Sequence, residues 1–185
     1  MRIISGKFKG KSISYLKSLT TRPLKDSVKE NIFNIINHSN ILGIDLENSN
    51  VLDLYSGIGS FGIECISRGI KQITFVENDK YAVKTLNENL VQINVQNIAS
   101  VIVNDVSTFL DSKINTKFEI IFLDPPFANN DYIENLKKIK SSKIYNDNHI
   151  VIIHRENKTI DNFENILKPI VVKEYGRSKI IFGRF

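Results

Sequence analysis

The chain has 185 residues and a net charge of +5, with one cysteine and three histidines, a length suited to one domain of ordinary size with an ample core. Cys65 alone allows neither a disulfide framework nor a cysteine-based metal cluster, and His38, His149 and His154 are scattered without ligand spacing. No apolar run approaches the roughly 18 residues of a membrane span, and the N-terminus, with Arg2 and Lys7 but no apolar core, lacks the form of a signal peptide, so a cytoplasmic protein without a resident metal is expected.

The charge is unevenly spread. Residues 1–29 hold eight Lys/Arg against one acid, Asp26, whereas residues 45–135 hold thirteen acids against six bases. The last eighteen residues return to five bases against one acid. An acidic body with a basic head and tail fits a polyanionic partner held around a small-molecule site; a solvated basic surface that only aids solubility is the plainer alternative.

In chain order, Met1 to Ser18 shows short β-like alternation broken by Gly6 and Gly10, which reads as a small hairpin or arm carrying Lys7, Lys9 and Lys11. Thr20 to Pro23 reads as a turn. A helix is expected from Asp26 or Ser27, with Ser27 and Glu30 as a near capping pair and Val28, Ile32, Ile35 and Ile36 on one buried face. Asn40 to Asn50 is a polar connector. Residues 1–40 are therefore expected to form a basic appendage to a domain of residues 41–185.

From Val51 strand and helix patterns alternate, the signature of a doubly wound, mostly parallel α/β sheet. Strands are predicted at Val51–Tyr55, Gln72–Glu77, Ser100–Asn104, Phe118–Asp124 and His149–His154. Helices are predicted at Ser60–Arg68, Asp79–Gln92, Val106–Ser112 and Asp131–Lys140. Ile170–Tyr175 and Lys179–Phe185, joined through Gly176-Arg177, read as a β-hairpin.

Two stretches carry chemistry. Asp53 to Gly62 joins the first strand to the first helix of the sheet, and Gly57 and Gly59 permit a tight turn and close approach of a ligand, while Gly62 lets the helix pack on a strand. Glu77, twenty residues after Gly57, can take both hydroxyls of a ribose. The spacing fits a dinucleotide fingerprint, so NAD or FAD is one reading. However, Asp53 would repel a pyrophosphate and attract an ammonium or sulfonium group. Asp105, ending the third strand, could bond an adenine amine. Ribose, adenine and sulfonium without phosphate describe S-adenosylmethionine. Tyr55, Ser56, Gly57, Gly59, Asn78 and Asp124 join Asp53, Glu77 and Asp105 as expected cofactor contacts, with Tyr55, Phe61 and Tyr81 as core or pocket-wall residues.

The second stretch is Asp124-Pro125-Pro126-Phe127, the exit of a buried strand. Neither proline can donate to a ladder, so the strand stops and its end stiffens. Asp124 and a backbone carbonyl can accept both N–H groups of a planar amine, and Phe127 offers a face for a base to stack on, a contact worth roughly 1–3 kcal/mol. A Pro-rich turn with Asp as turn former is the bland reading. Cys65 reads as a small buried hydrophobe, and His154, at a strand end, is given no role.

Together these residues resemble class I adenosylmethionine-dependent methyltransferases of exocyclic amines, through Asp53 to Gly59, Glu77, and Asp124 to Phe127. The arm Met1-Arg-Ile-Ile-Ser-Gly-Lys-Phe-Lys-Gly10, Arg22-Pro23, Val28 to Asn34 and Ser67-Arg68-Gly69 are similar to the RsmD family of bacterial 16S ribosomal RNA guanine-N2 methyltransferases. That resemblance implies a Rossmann-like, seven-stranded sheet whose C-terminal hairpin inserts an antiparallel last strand. It implies methyl transfer to a guanine N2 (guanine 966 in the family target), with Asp124, Pro125, Pro126 and Phe127 catalytic and Lys7, Lys9, Lys11, Arg22 and Lys25 on RNA. The partner implied is ribosomal RNA in an assembling 30S subunit, with the enzyme a monomer. After Arg-Pro the family has a threonine and a second arginine, whereas this chain has Leu24, Lys25, Asp26 and Ser27. Lys25 and Lys29 keep basic character without the two-point geometry of Arg. Other amines (adenine N6 or a protein glutamine), an NAD-dependent oxidoreductase and a non-catalytic RNA-binding domain are the rival readings.

Overall fold

The computed structural model describes residues 1–15, 24–39, 41–126 and 131–185; the expected turn at Thr20 to Pro23, Arg22 and Phe127 lie outside them. After α1 (Asp26–His38) the chain runs β1 (Asn50–Leu54), α2 (Ser60–Ser67), β2 (Gln72–Glu77), α3 (Lys80–Ile93), β3 (Ala99–Val103), α4 (Val106–Leu110), β4 (Phe118–Leu123), α5 (Tyr132–Ser142), β5 (Tyr145–Glu156), β6 (Lys168–Tyr175) and β7 (Ser178–Arg184). The seven strands form one sheet in the order β3-β2-β1-β4-β5-β7-β6. β1 to β5 pair in parallel, and β7 runs antiparallel between β5 and β6. The expected fold, with an inserted last strand, is the one observed.

The order reverses between β1 and β4: the chain moves outward through β2 and β3, then returns to the other side of β1. Ligands of open α/β sheets bind at such a switch point, beyond the carboxyl ends of the strands. Here the two ends belong to Tyr55 and Asp124, which follow the paired residues Leu54 and Leu123.

Alternation along each strand sorts the core into two layers. Val51, Ile73, Phe75, Ile120, Phe122, Ile150, Ile152 and Phe182 face α1, α2 and α3. Leu52, Leu54, Val76, Ile121, Leu123, Val151, Ile153 and Ile181 face α4 and α5. In the first layer Phe33, Phe61 and Phe122 stack, with centroids 5.4 Å and 4.0 Å apart. Burying each such side chain contributes roughly 1.5–3 kcal/mol. Gly62 allows α2 to seat on β2, since a Cβ there would lie 2.2 Å from the Phe75 ring.

The arm forms a hairpin, with a bridge between Arg2 and Ser12 and hydrogen bonds from Ile3 N to Lys11 O and from Ile13 N to Met1 O. Ile3 and Ile13 are buried in the same core as α1 to α3. Glu64 of α2, fully buried, accepts the amides of Ile4 at 2.8 Å and Ser5 at 3.0 Å and pairs with Arg68 at 3.0 Å and Lys29 at 3.7 Å. Lys29 is also buried, and donates to the Arg2 carbonyl at 3.2 Å. It ties α1 to the arm and to α2, so its basic character serves packing and not the surface. Burial holds its ammonium below the usual lysine range, against the pull of Glu64 and Asp26.

Some ends differ from expectation. No side-chain cap is made at the start of α1, where Lys25 is the capping residue, so the Ser27–Glu30 capping pair is not formed. Caps occur instead at Asp79, which accepts from Tyr81 N and Ala82 N, and at Asp105, which accepts from Ser107 N and Thr108 N. β5 begins at Tyr145, four residues before the predicted start. The polar run Asn146-Asp147-Asn148 hides that extension, because a strand leaving the core no longer needs apolar side chains.

Candidate active site

β1 and β4 set two carboxylates on one face of the sheet. Asp53 pairs in register with Phe122, two residues before Asp124, so both acids share the α1–α3 face. Asp53 is buried; its Oδ2 accepts the Gly62 amide at 3.0 Å, while Oδ1 has no hydrogen-bond partner among the described residues. Burial pushes its carboxyl well above the usual range, opposed by the Gly62 bond and reinforced by the charges of Asp124 and Glu77. The hydroxyl of Ser60, at the start of α2, is likewise buried without a partner. Two buried polar atoms left open at one loop are what a site for a cationic, hydrogen-bonding ligand requires.

The loop between them is held by Glu77. Its Oε2 accepts Gly57 N at 2.7 Å, and its Oε1 accepts Asn78 N at 2.9 Å and Asp79 N at 2.8 Å. Gly57 has φ +54°, and a Cβ there would meet nothing within 4 Å, so its backbone borders open space. Gly59 has φ +82°, and a Cβ there would lie 2.4 Å from Leu86. Ser56 reaches β2, its amide donating to Val76 O at 3.1 Å. Tyr55 takes φ +59°, a left-handed conformation costly for a residue with a side chain. Its hydroxyl accepts from Asn135 of α5 at 2.7 Å. Of the predicted cofactor contacts, Tyr55, Ser56, Gly57, Gly59, Glu77 and Asn78 surround one loop. Asp105, by contrast, spends its Oδ1 on capping α4.

At the exit of β4, the Asp124 amide donates to Leu54 O at 3.4 Å. Its side chain, 24% exposed, meets His154 Nδ1 at 2.8 Å through Oδ1. His154 is buried, and its Nε2 meets Ser178 Oγ at 2.9 Å. The next residue of β5, Arg155, points to the other face, where it donates to Pro126 O at 3.4 Å and to Asp161 at 3.2 Å and lies over the Tyr132 ring. Asp161 also accepts from Tyr132 at 2.5 Å and pairs with Lys179 at 2.7 Å. Two consecutive residues thus grip Asp124-Pro125-Pro126 from opposite faces. His154 and Arg155 were given no role from sequence, although a His-Arg pair closing the apolar run Ile150 to Ile153 at the ligand edge is a legible signal.

Of the basic residues expected on RNA, Lys7, Lys9 and Lys11 lie away from this edge. Lys7 N donates to Ser67 O at 2.7 Å, at the end of α2, which leads back to the start of β2 and the amino edge of the sheet. Lys7, Lys9 and Lys11 are exposed there, with the ammonium groups of Lys7 and Lys11 within 5.5 Å of the Phe8 ring centroid. Lys25 is exposed at the start of α1. Among the described residues no group of His, Cys, Asp and Glu is arranged for a metal, and no helix is long and apolar enough to cross a membrane.

The model of a family described as "Conserved hypothetical protein 95" matches residues 1–184. The chain belongs to this family. YlbH of Bacillus subtilis, provisionally named an rRNA methyltransferase, is 40% identical over 129 residues, 69% of this chain and 67% of that protein. A "Ribosomal RNA small subunit methyltransferase D" of Buchnera aphidicola is 30% identical over 157 residues, covering 85% of this chain and 76% of that protein. A crystal structure from Haemophilus influenzae, provisionally termed a methylase, superposes with a TM-score of 0.78 at 26% identity, covering 98% of this chain and 96% of that one. The resemblance to RsmD, and with it the Rossmann-like methyltransferase fold, is borne out.

Proposed function

We propose that this chain transfers a methyl group from S-adenosylmethionine to the exocyclic N2 of a guanine in small-subunit ribosomal RNA, with position 966 of the 16S molecule as target. One observation carries the reading. Asp53, with an unpartnered buried oxygen, and Asp124, at a rigid Pro-Pro exit, sit on one face of adjacent strands at the switch point, in a chain whose relatives are named ribosomal RNA methyltransferases.

The residues present suit adenosylmethionine. Asp53 and Ser60 would meet its polar amino-acid end, Glu77 its ribose and Asp105 its adenine amine, while the open backbone at Gly57 leaves room for close approach. Residues 53–62 contain no Lys or Arg to receive a pyrophosphate, which disfavours a dinucleotide. Bound there, adenosylmethionine supplies an electrophilic methyl group on a sulfonium. The protein's part is placement, because the lone pair of an aromatic amine is delocalised and reacts well only when oriented. Asp124 and the Pro125 carbonyl accept the two N–H bonds of the amine and stabilise its developing positive charge. The sequence supplies Phe127 as the ring on which the extruded base stacks. Lys7, Lys9, Lys11, Arg22 and Lys25 bind phosphates, which makes affinity fall with salt. Since Lys7 to Lys11 lie at the opposite end of α2 from Asp124, they grip RNA at a distance from the reacting base. The protein acts as a monomer on RNA of an assembling 30S subunit, in the cytoplasm.

The experiment is transfer of labelled methyl groups to naked 16S RNA, 30S subunits, duplex DNA and a release factor, followed by mass spectrometry of the product. N2-methylguanine in 16S RNA or in the subunit is the expected result. Labelled adenine or glutamine would assign the site to another amine, and RNA binding without transfer would leave a non-catalytic domain.

A further inference from the structure

We infer that His154, itself held by Ser178, is a positioning residue that fixes the Asp124 carboxylate and reserves its second oxygen for the substrate amine. The inference rests on the methyl-transfer reading above. Asp124 follows Leu123, which pairs with Ile153, so His154 is its neighbour across β4 and β5 and on the same face. The ring nitrogen Nδ1 stands 2.8 Å from Asp124 Oδ1. An ionised carboxylate has no proton to give, so Nδ1–H is the donor. On the other side of the ring, Nε2 meets the Ser178 hydroxyl at 2.9 Å, so the imidazole is held from both nitrogens.

This chain of contacts has two consequences. Asp124 Oδ1 is occupied, and the amine is met by Oδ2, which has no other partner among the described residues. Ser178 comes from β7, the antiparallel strand inserted beside β5. The inserted hairpin therefore contributes to the site as well as closing the sheet. Lys179, next to Ser178, and Arg155, next to His154, point to the other face and pair with Asp161, so the carboxylate meeting the ring is that of Asp124.

The test is steady-state methyl transfer to 16S RNA or 30S subunits by wild type, His154→Ala, His154→Asn and Ser178→Ala, with adenosylmethionine affinity measured by calorimetry. His154→Ala should lower kcat by about tenfold to a hundredfold, with KM for RNA and cofactor affinity within about twofold of wild type. His154→Asn, whose amide reaches the Nδ1 position, should recover most of the loss, and Ser178→Ala should fall between. A kcat for His154→Ala within threefold of wild type, or an Asn variant no better than Ala, overturns the inference. Should His154→Ala not fold, Ser178→Ala carries the test, and wild-type kcat there is the overturning result. A wild-type protein that methylates no RNA removes the proposed function instead, and is seen in the same experiment.

Discussion

Glu64 on α2 accepts the backbone amide of Ile4 at 2.8 Å, joining the basic arm to the middle of the chain. The same carboxylate takes Ser5 N, Arg68 Nε and the ion pair with buried Lys29. Removing one partner of a buried pair leaves the other charged and unsatisfied, at a cost of about 3–5 kcal/mol. Glu64→Ala should therefore lose roughly that much stability in urea denaturation, and the arm should become the first segment cleaved by trypsin, at Lys7, Lys9 and Lys11. A loss below 1 kcal/mol would mean that the arm is seated by Ile3 and Ile13 alone.

Asp53 should trade stability for binding. Burial, with the charges of Asp124 and Glu77, raises its carboxyl above the usual value despite the Gly62 bond. A raised folded value means that the native state holds the proton more tightly than the unfolded chain. The carboxylate thus costs stability progressively as pH rises from about 4 through the folded value. Asp53→Asn removes that cost, so the ligand-free variant should melt several degrees above wild type at pH 8 and close to it at pH 4. The thermal shift given by adenosylmethionine in wild type should vanish in the variant.

Two glycines of one loop should fail differently. Gly57 borders open space at φ +54°, so Gly57→Ala costs only the left-handed backbone penalty, about 1–2 kcal/mol, yet should weaken adenosylmethionine at least tenfold. Gly62→Ala drives a methyl to within 2.4 Å of Ile73 and closer to Phe75. It should cost about 1–3 kcal/mol or more from overpacking, with cofactor affinity of the folded fraction retained. Calorimetry and urea denaturation on the same samples separate the two.

His149 gives the fold a pH dependence at the amino edge. Phe185 N–H donates to its Nε2 at 3.1 Å, so Nε2 carries no proton, and Nδ1–H donates to Asn146 O at 2.7 Å. Burial holds its pKa below the ordinary histidine value, against the Asn146 bond. The native state therefore resists the proton that the unfolded chain accepts. The contribution is complete above about pH 6.5 and is lost as pH falls through the folded value. Stability should drop between pH 7 and 5, and His149→Gln should flatten that slope in denaturation curves taken across the range.

What the sequence made legible follows from which forces act locally. Val51 to Leu54 and Phe118 to Leu123 are largely apolar runs too short for helices; the first carries Asp53 four residues before Gly57, and the second runs straight into Asp124-Pro125. Strand, edge and candidate ligand contact could therefore be read together. Less visible were interactions between residues that meet only through the sheet order. His154 finds Asp124 thirty residues away and Ser178 twenty-four away because β7 inserts next to β5. Lys29 looked like a surface base, since nothing within its own helix shows that Glu64 waits on α2. Glu64 itself left a trace: it is the one charged residue in Ser60–Ser67, a helix otherwise small or apolar and buried throughout. A lone acid in such a helix asks for buried donors. The capping pair at Ser27 and Glu30 failed for the opposite reason, a fitting local pattern that starts one residue inside the observed helix.

The proposed methyl transfer depends most directly on Asp124. Adenosylmethionine binding by calorimetry and methyl transfer to 16S RNA are to be measured on Asp124→Ala beside wild type. The predicted result is a variant that binds adenosylmethionine within a fewfold of wild type and transfers no detectable methyl to guanine N2. Full transfer by the variant would contradict the proposed role of the carboxylate, and with it the placement of the reacting amine at the exit of β4.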